Sequence, residues 1–231
     1  MDLVTYMLIP MVPLFISVVT YNLFSVAMSN VVMSSRVSRA LYRFFALFFV
    51  PIHELSHLVM AVIFGHKINK VVLFQLNNTT SGYVEHSWNK KSLYQSFGTF
   101  FIASAPLLVS MIATSIIFSI NSVYINEIDV SLNAIIYIFN AIPFGQLLFL
   151  GILCFYCTPS TQDFKNAFRG TVYVSVAIMT MALVLSSAGA DTEIIKTMIR
   201  PIFISVGVIG LLSSVIWIIL FLIGFLSRRW V

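Results

Sequence analysis

The stretch Pro51-Ile52-His53-Glu54-Leu55-Ser56-His57 lies inside an apolar run covering residues 41–64, and its reading decides the rest. Crossing the hydrocarbon of a bilayer takes roughly 20 apolar residues, so a run of this length reads as a transmembrane helix. On a helix, His53 and His57 stand one turn apart on the same face. That spacing lets two imidazoles hold one zinc ion and leaves Glu54 beside it to take a proton from water. An ionisable group in a membrane span costs on the order of 3 kcal/mol on insertion scales. The chain has only eight acidic residues and four histidines in all, yet His53, Glu54 and His57 crowd into one span. A bound cation offsets that cost directly.

Composition agrees with a membrane setting. The chain has 231 residues, 59% of them hydrophobic and 9% charged, with a mean hydropathy of +0.99. Soluble domains carry about 25% charged residues, so this chain cannot build a water-exposed surface. Its net charge of +5 is spread thinly over loops. That pattern suits anionic headgroups and the positive-inside rule, and excludes a nucleic-acid partner. Cys154 and Cys157 lie inside an apolar run and are too few for a disulfide framework. The first apolar stretch, from Leu3 to about Met28, has no basic n-region and reads as a retained span, with Pro10 and Pro13 bending its first turns.

Working outward, the apolar segments predict an all-α polytopic membrane protein of about six transmembrane helices, at 3–28, 41–64, 95–120, 132–157, 171–190 and 199–226. Loops are expected at 29–40, 65–92, 121–131 and 158–170. Within 65–92, Ile68 to Leu76 and Tyr83 to Trp88 are β-prone and flank Asn77-Asn78-Thr79-Thr80-Ser81-Gly82, which is turn chemistry. This predicts a β-hairpin over 68–88, directly after the His53/His57 helix. Three units result: an N-terminal segment and loop (1–40), a three-helix core with the hairpin (41–170), and a C-terminal helix pair (171–231). Placing 65–92, 158–170 and Arg228–Arg229 in the cytoplasm puts most of the basic residues inside, with Arg36, Arg39 and Arg43 opposing that orientation.

Two histidines leave a third ligand to find. Asp2 is terminal, and Glu127, Asp129, Asp191 and Glu193 fall in the loops of the opposite side. Asp163, in Thr158-Pro159-Ser160-Thr161-Gln162-Asp163, falls on the side of the hairpin and is the favoured ligand. The competing role for it is the N-cap of a helix starting near Phe164. Glu85, His66 and His86 on the hairpin are alternative ligands. Cys154 and Cys157 read as small packing residues, as do Gly98, Ser104 and Ala105, while Pro106 reads as a kink.

These motifs resemble the site-2 protease family of intramembrane zinc metalloproteases. The resemblance covers about residues 45–165. It rests on His53-Glu54-Leu55-Ser56-His57, on Gly65, on Lys67-Ile68-Asn69-Lys70-Val71-Val72-Leu73-Phe74 as the entering strand of that family's membrane-embedded hairpin, and on Asn140-Ala141-Ile142-Pro143, similar to its Asn-Pro-x-Pro segment. The chain departs from the pattern where the family has Leu-Asp-Gly: Leu148 stands there, and no Asp follows until Asp163. The resemblance implies a bacterial cytoplasmic membrane, one zinc per chain on His53, His57 and Asp163, and Glu54 as the catalytic base. It implies a membrane-protein substrate cut in or near its transmembrane segment. Asn140, Val72 and Phe74 would then contact the substrate, which the hairpin would bind as an added strand. The alternative is a non-catalytic metal-binding membrane protein, a pseudoprotease or a transporter-like bundle, which would have no use for Glu54.

Overall fold

The computed structural model describes residues 11–75, 82–124, 132–187 and 193–227. Its order is α1 (Met11–Ser34), α2 (Arg36–Ile63), β1 (Lys67–Val72), β2 (Tyr83–Ser87), α3 (Leu93–Ile120), α4 (Leu132–Ala141), α5 (Phe144–Tyr156), α6 (Thr161–Ser187) and α7 (Glu193–Ser227). Among the described residues α2, α3 and Pro201–Ser227 of α7 are long and apolar enough to cross a membrane. A fourth candidate is a bent pair, α5 with Thr161–Met181 of α6, its halves 72° apart. This gives three or four candidate spans rather than the six that hydropathy predicts.

The differences have local causes. The Ser-rich stretch 29–40 is helical except at Ser35, because its hydroxyls turn back onto the chain. Ser34 Oγ donates to the Val31 carbonyl at 2.8 Å and Ser38 Oγ to Val32 at 2.6 Å, which removes the usual objection to serine in a helix. The expected single helix 132–157 is divided at Ile142-Pro143, since a residue before proline disfavours the α conformation. The expected loop 158–170 is helical from Thr161 onward. The turn residues 77–81 and the loop acids Asp2, Glu127, Asp129 and Asp191, with Arg228 and Arg229, lie outside the described residues.

The hairpin forms as predicted, as an antiparallel pair with Lys67 opposite Ser87 and Val72 opposite Tyr83. Its register slips between Ile68 and Lys70, a bulge at Asn69. Gly65 makes it possible. With φ of +66° it occupies the left-handed position that ends α2. The Gly65 N–H bonds the Val62 carbonyl at 3.0 Å and the His66 N–H bonds that of Ala61 at 2.8 Å. These paired bonds satisfy orphan carbonyls and turn the chain straight into β1.

One buried cluster joins α3, α5, α6 and α7 around Leu150, Cys154 and Ile209, and a second joins Phe49, Phe155, Trp217 and Leu220. Outward-facing Phe44, Phe48, Leu55 and Val59 leave α2 an apolar flank suited to lipid. The helix α6 lies against α3 so closely that a Cβ on Gly170 would overlap Thr99 and Phe100. Gly98 meets Phe64 in the same way, in keeping with small residues where membrane helices approach. Gly170→Ala is expected to cost about 1–3 kcal/mol by overpacking, read as a lower unfolding temperature in detergent. Gly207→Ala, where a Cβ meets nothing within 4 Å, should leave it unchanged.

Candidate metal centre

The bend between α5 and α6 delivers Asp163 to the two histidines of α2. His57 Nε2 lies 3.1 Å from His53 Nε2 and 3.3 Å from Asp163 Oδ1, and His53 Nε2 lies 3.7 Å from Asp163 Oδ2. All three residues are buried or nearly so. A tetrahedral zinc with bonds of about 2.0–2.2 Å sets its ligand atoms roughly 3.4 Å apart. The spacing therefore fits one divalent ion.

The tautomers fit as well. His53 Nδ1–H donates to the Tyr156 carbonyl at 2.9 Å, and His57 Nδ1–H donates to the Ile102 carbonyl at 2.7 Å. Each Nε2 is thus left as a bare lone pair, and the two lone pairs and a carboxylate converge on one point. Without a cation such an arrangement is repulsive. Ligating histidines commonly donate their other N–H in this way, which fixes the ring.

Both accepting carbonyls are free for a reason. Tyr156 is the last residue of α5, where carbonyls lack a helical partner. Ile102 lies four residues before Pro106, which has no N–H to return its bond. The residue read from sequence as a kink thereby releases the acceptor that orients His57.

Asp163 is both a candidate ligand and part of a cap. Its N–H donates to Ser160 Oγ at 3.2 Å, while its carboxylate accepts from the Ser160 N–H at 2.8 Å and hydroxyl at 2.7 Å. This reciprocal pair is a capping box with Asp in place of Glu. The helix starts at Thr161, not near Phe164, so Asp163 stands in the first turn, where the helix dipole also favours a negative charge. The pattern Ser160-x-x-Asp163 is visible in the sequence and is the signal that could have found Ser160.

Glu54 is 8% exposed and accepts no hydrogen bond among the described residues. It faces a cavity of about 1040 Å³ shared with His53, His57 and Asp163. The hairpin stands over it. A Cβ on Gly82 would come 2.8 Å from Glu54 Cγ and 3.0 Å from the Val72 carbonyl. Asn166 and Arg169 of α6 line the same cavity.

The other candidates are not part of this three-residue group. Glu85 is exposed opposite Lys70 and also lines the cavity. His66 and His86 pair with each other: His66 Nε2–H donates to the Gln95 carbonyl at 2.9 Å, and the two Nδ1 atoms are 2.9 Å apart. Burial, followed by the neighbouring His66 and His57, holds His86 down at about 4, and burial lowers His66. Cys154 and Cys157 are buried in the apolar clusters. Val72 ends β1, Phe74 follows it, and Asn140 is exposed on α4; the cavity is lined by none of these three. Compared with protein-family models, curated proteins and solved structures, the chain gives no match.

Two variants test how the centre is held. Ser160→Ala should weaken metal affinity about tenfold, in the range seen when a group behind a ligand is lost, as measured by chelator competition. Pro106→Ala restores an N–H that competes for the Ile102 carbonyl, and should lower metal affinity without lowering the yield of folded protein.

Proposed function

We propose that this chain is a zinc-dependent intramembrane protease, similar to the site-2 family, that hydrolyses a peptide bond in or near a substrate's transmembrane segment. One observation carries this reading: two bare imidazole nitrogens and a carboxylate converge beside a second carboxylate, Glu54, that accepts no hydrogen bond among the described residues, in a cavity between apolar helices. A purely structural metal site needs no Glu54.

In this reading His53, His57 and Asp163 hold the ion, which when bound would supply Lewis acidity to a peptide carbonyl and to water. Glu54 accepts the proton of the attacking water and returns it to the departing amine nitrogen, the two tasks of one general acid–base. With no hydrogen-bond partner among the described residues, it is free to carry that proton. A helical segment shields its carbonyls in hydrogen bonds, so the substrate must unwind first. Tyr83, Val84 and His86 of β2 line the cavity, and an unwound segment laid along that strand would gain main-chain bonds in compensation. In the sequence Lys67, Lys70, Lys90, Lys91, Lys165 and Arg169 lie in or beside the hairpin and the Asp163 segment, which favours a cytoplasmic mouth.

Elemental analysis of detergent-purified protein, paired with cleavage of fluorescent single-span peptides in proteoliposomes, tests the proposal. One zinc per chain should be lost in His53→Ala and Asp163→Ala and kept in Glu54→Ala. Cleavage should vanish in all three. A Glu54→Ala chain that still cleaves would end the protease reading. Iron instead of zinc would redirect it, because two histidines and one carboxylate also suit ferrous sites.

A further inference from the structure

The hairpin carries a second pair of imidazoles whose hydrogen bonds can be assigned atom by atom. A backbone carbonyl only accepts, so the Gln95 carbonyl takes its bond from His66 Nε2–H. Neutral His66 then has a bare Nδ1, and the 2.9 Å contact to His86 must be donated by His86 Nδ1–H. His86 Nε2 is consequently a lone pair. It has no hydrogen-bond partner among the described residues and is not fully buried, and His86 lines the cavity with Glu54 and His57. His66 is buried, and its ring stacks on Trp88 at 5.6 Å with 15° between planes, so the anchor of this relay is rigid. Its second attachment is close by, where Gln95 Nε2–H donates to the Gly65 carbonyl at 2.7 Å.

The relay thus repeats the device that orients His53 and His57, with Nδ1 donating and Nε2 left as the lone pair. The outcome differs. His86 is not part of the group whose ligand atoms lie within 4.8 Å of one another. It therefore offers an acceptor in the cavity that these three residues share rather than another ligand, where backbone N–H groups of an unwound segment would arrive without partners.

We propose that His86 is a substrate-binding residue whose Nε2 accepts a hydrogen bond from a peptide N–H of the bound segment, with His66 as its positioning residue. This rests on the protease reading and adds a recognition element to it. The partner is the peptide backbone itself, so the contact confers affinity for extended chain rather than for a side chain.

The probe is a peptidyl hydroxamate, which chelates a metal and carries peptide N–H groups, compared with depsipeptide analogues in which one N–H at a time is replaced by an ester oxygen. Affinities are measured on the full-length zinc-loaded protein and its variants, with zinc content determined for each. In the wild type one ester replacement should weaken binding about five- to tenfold, the size of one hydrogen bond. His86→Ala should weaken the parent compound by the same factor and erase the difference between amide and ester. His86→Gln, whose amide oxygen can accept, should restore part of that difference, and His66→Ala should reduce it. A zinc-loaded His86→Ala chain that binds the parent like wild type, or still distinguishes amide from ester at that position, overturns the inference alone. A zinc-free wild type, or a zinc-loaded one that does not bind the hydroxamate, overturns the protease reading and this inference with it.

Discussion

Everything at the centre of this molecule depends on two backbone carbonyls having nothing else to bond. Inside a helix a carbonyl is committed to an N–H four residues on, and in a bilayer it cannot turn to water instead. The Tyr156 carbonyl escapes because α5 stops there, and that of Ile102 escapes because Pro106 has no N–H. Each takes a bond from one imidazole. The same two bonds that satisfy the backbone strip both Nε2 atoms of their protons and point them at Asp163. Structural need and chemical readiness are one arrangement.

The bend between α5 and α6 solves a second problem. An unbroken helix through 144–181 would carry Asp163 past the histidines on whatever face its phase dictated. The break at Thr158-Pro159-Ser160 opens a helix N-terminus within the protein, and such an end accepts a carboxylate readily. Ser160 and Asp163 then cap the new helix together, which holds one edge of the carboxylate while its oxygens face His53 and His57. The carboxylate that caps the helix also faces the two imidazoles, so the sequence alternatives for Asp163, ligand or cap, do not exclude one another.

Much of this was legible in the chain. His53, Glu54 and His57 declare themselves because they are ionisable groups where charge is costly, and helical spacing alone puts both imidazoles on one face. The hairpin was legible from β-prone flanks and from Gly65, whose left-handed conformation the end of α2 requires. Asp163 could be reached by elimination because acids are so few. The narrowing of the expected 29–40 loop to Ser35 and the break at Ile142-Pro143 were not, since hydropathy averages over a turn and does not register where one backbone bond is lost. Nor was the link between Pro106 and His57, which are far apart in the chain, or that between His66, His86 and Gln95.

By itself the sequence determined that several segments are apolar enough to cross a bilayer, that one helix carries two imidazoles and a carboxylate, and that a hairpin follows it. These are properties of composition and of short periods, decided within a turn or two of the chain. Only the tertiary structure decided which carboxylate meets the imidazoles, which ring nitrogens are left bare, and which hairpin strand lines the cavity. Those depend on the crossing of α2, α3, α5 and α6, where a hydrogen bond across about 50 or 100 residues of chain sets the orientation of a ring. Local spacing cannot encode that.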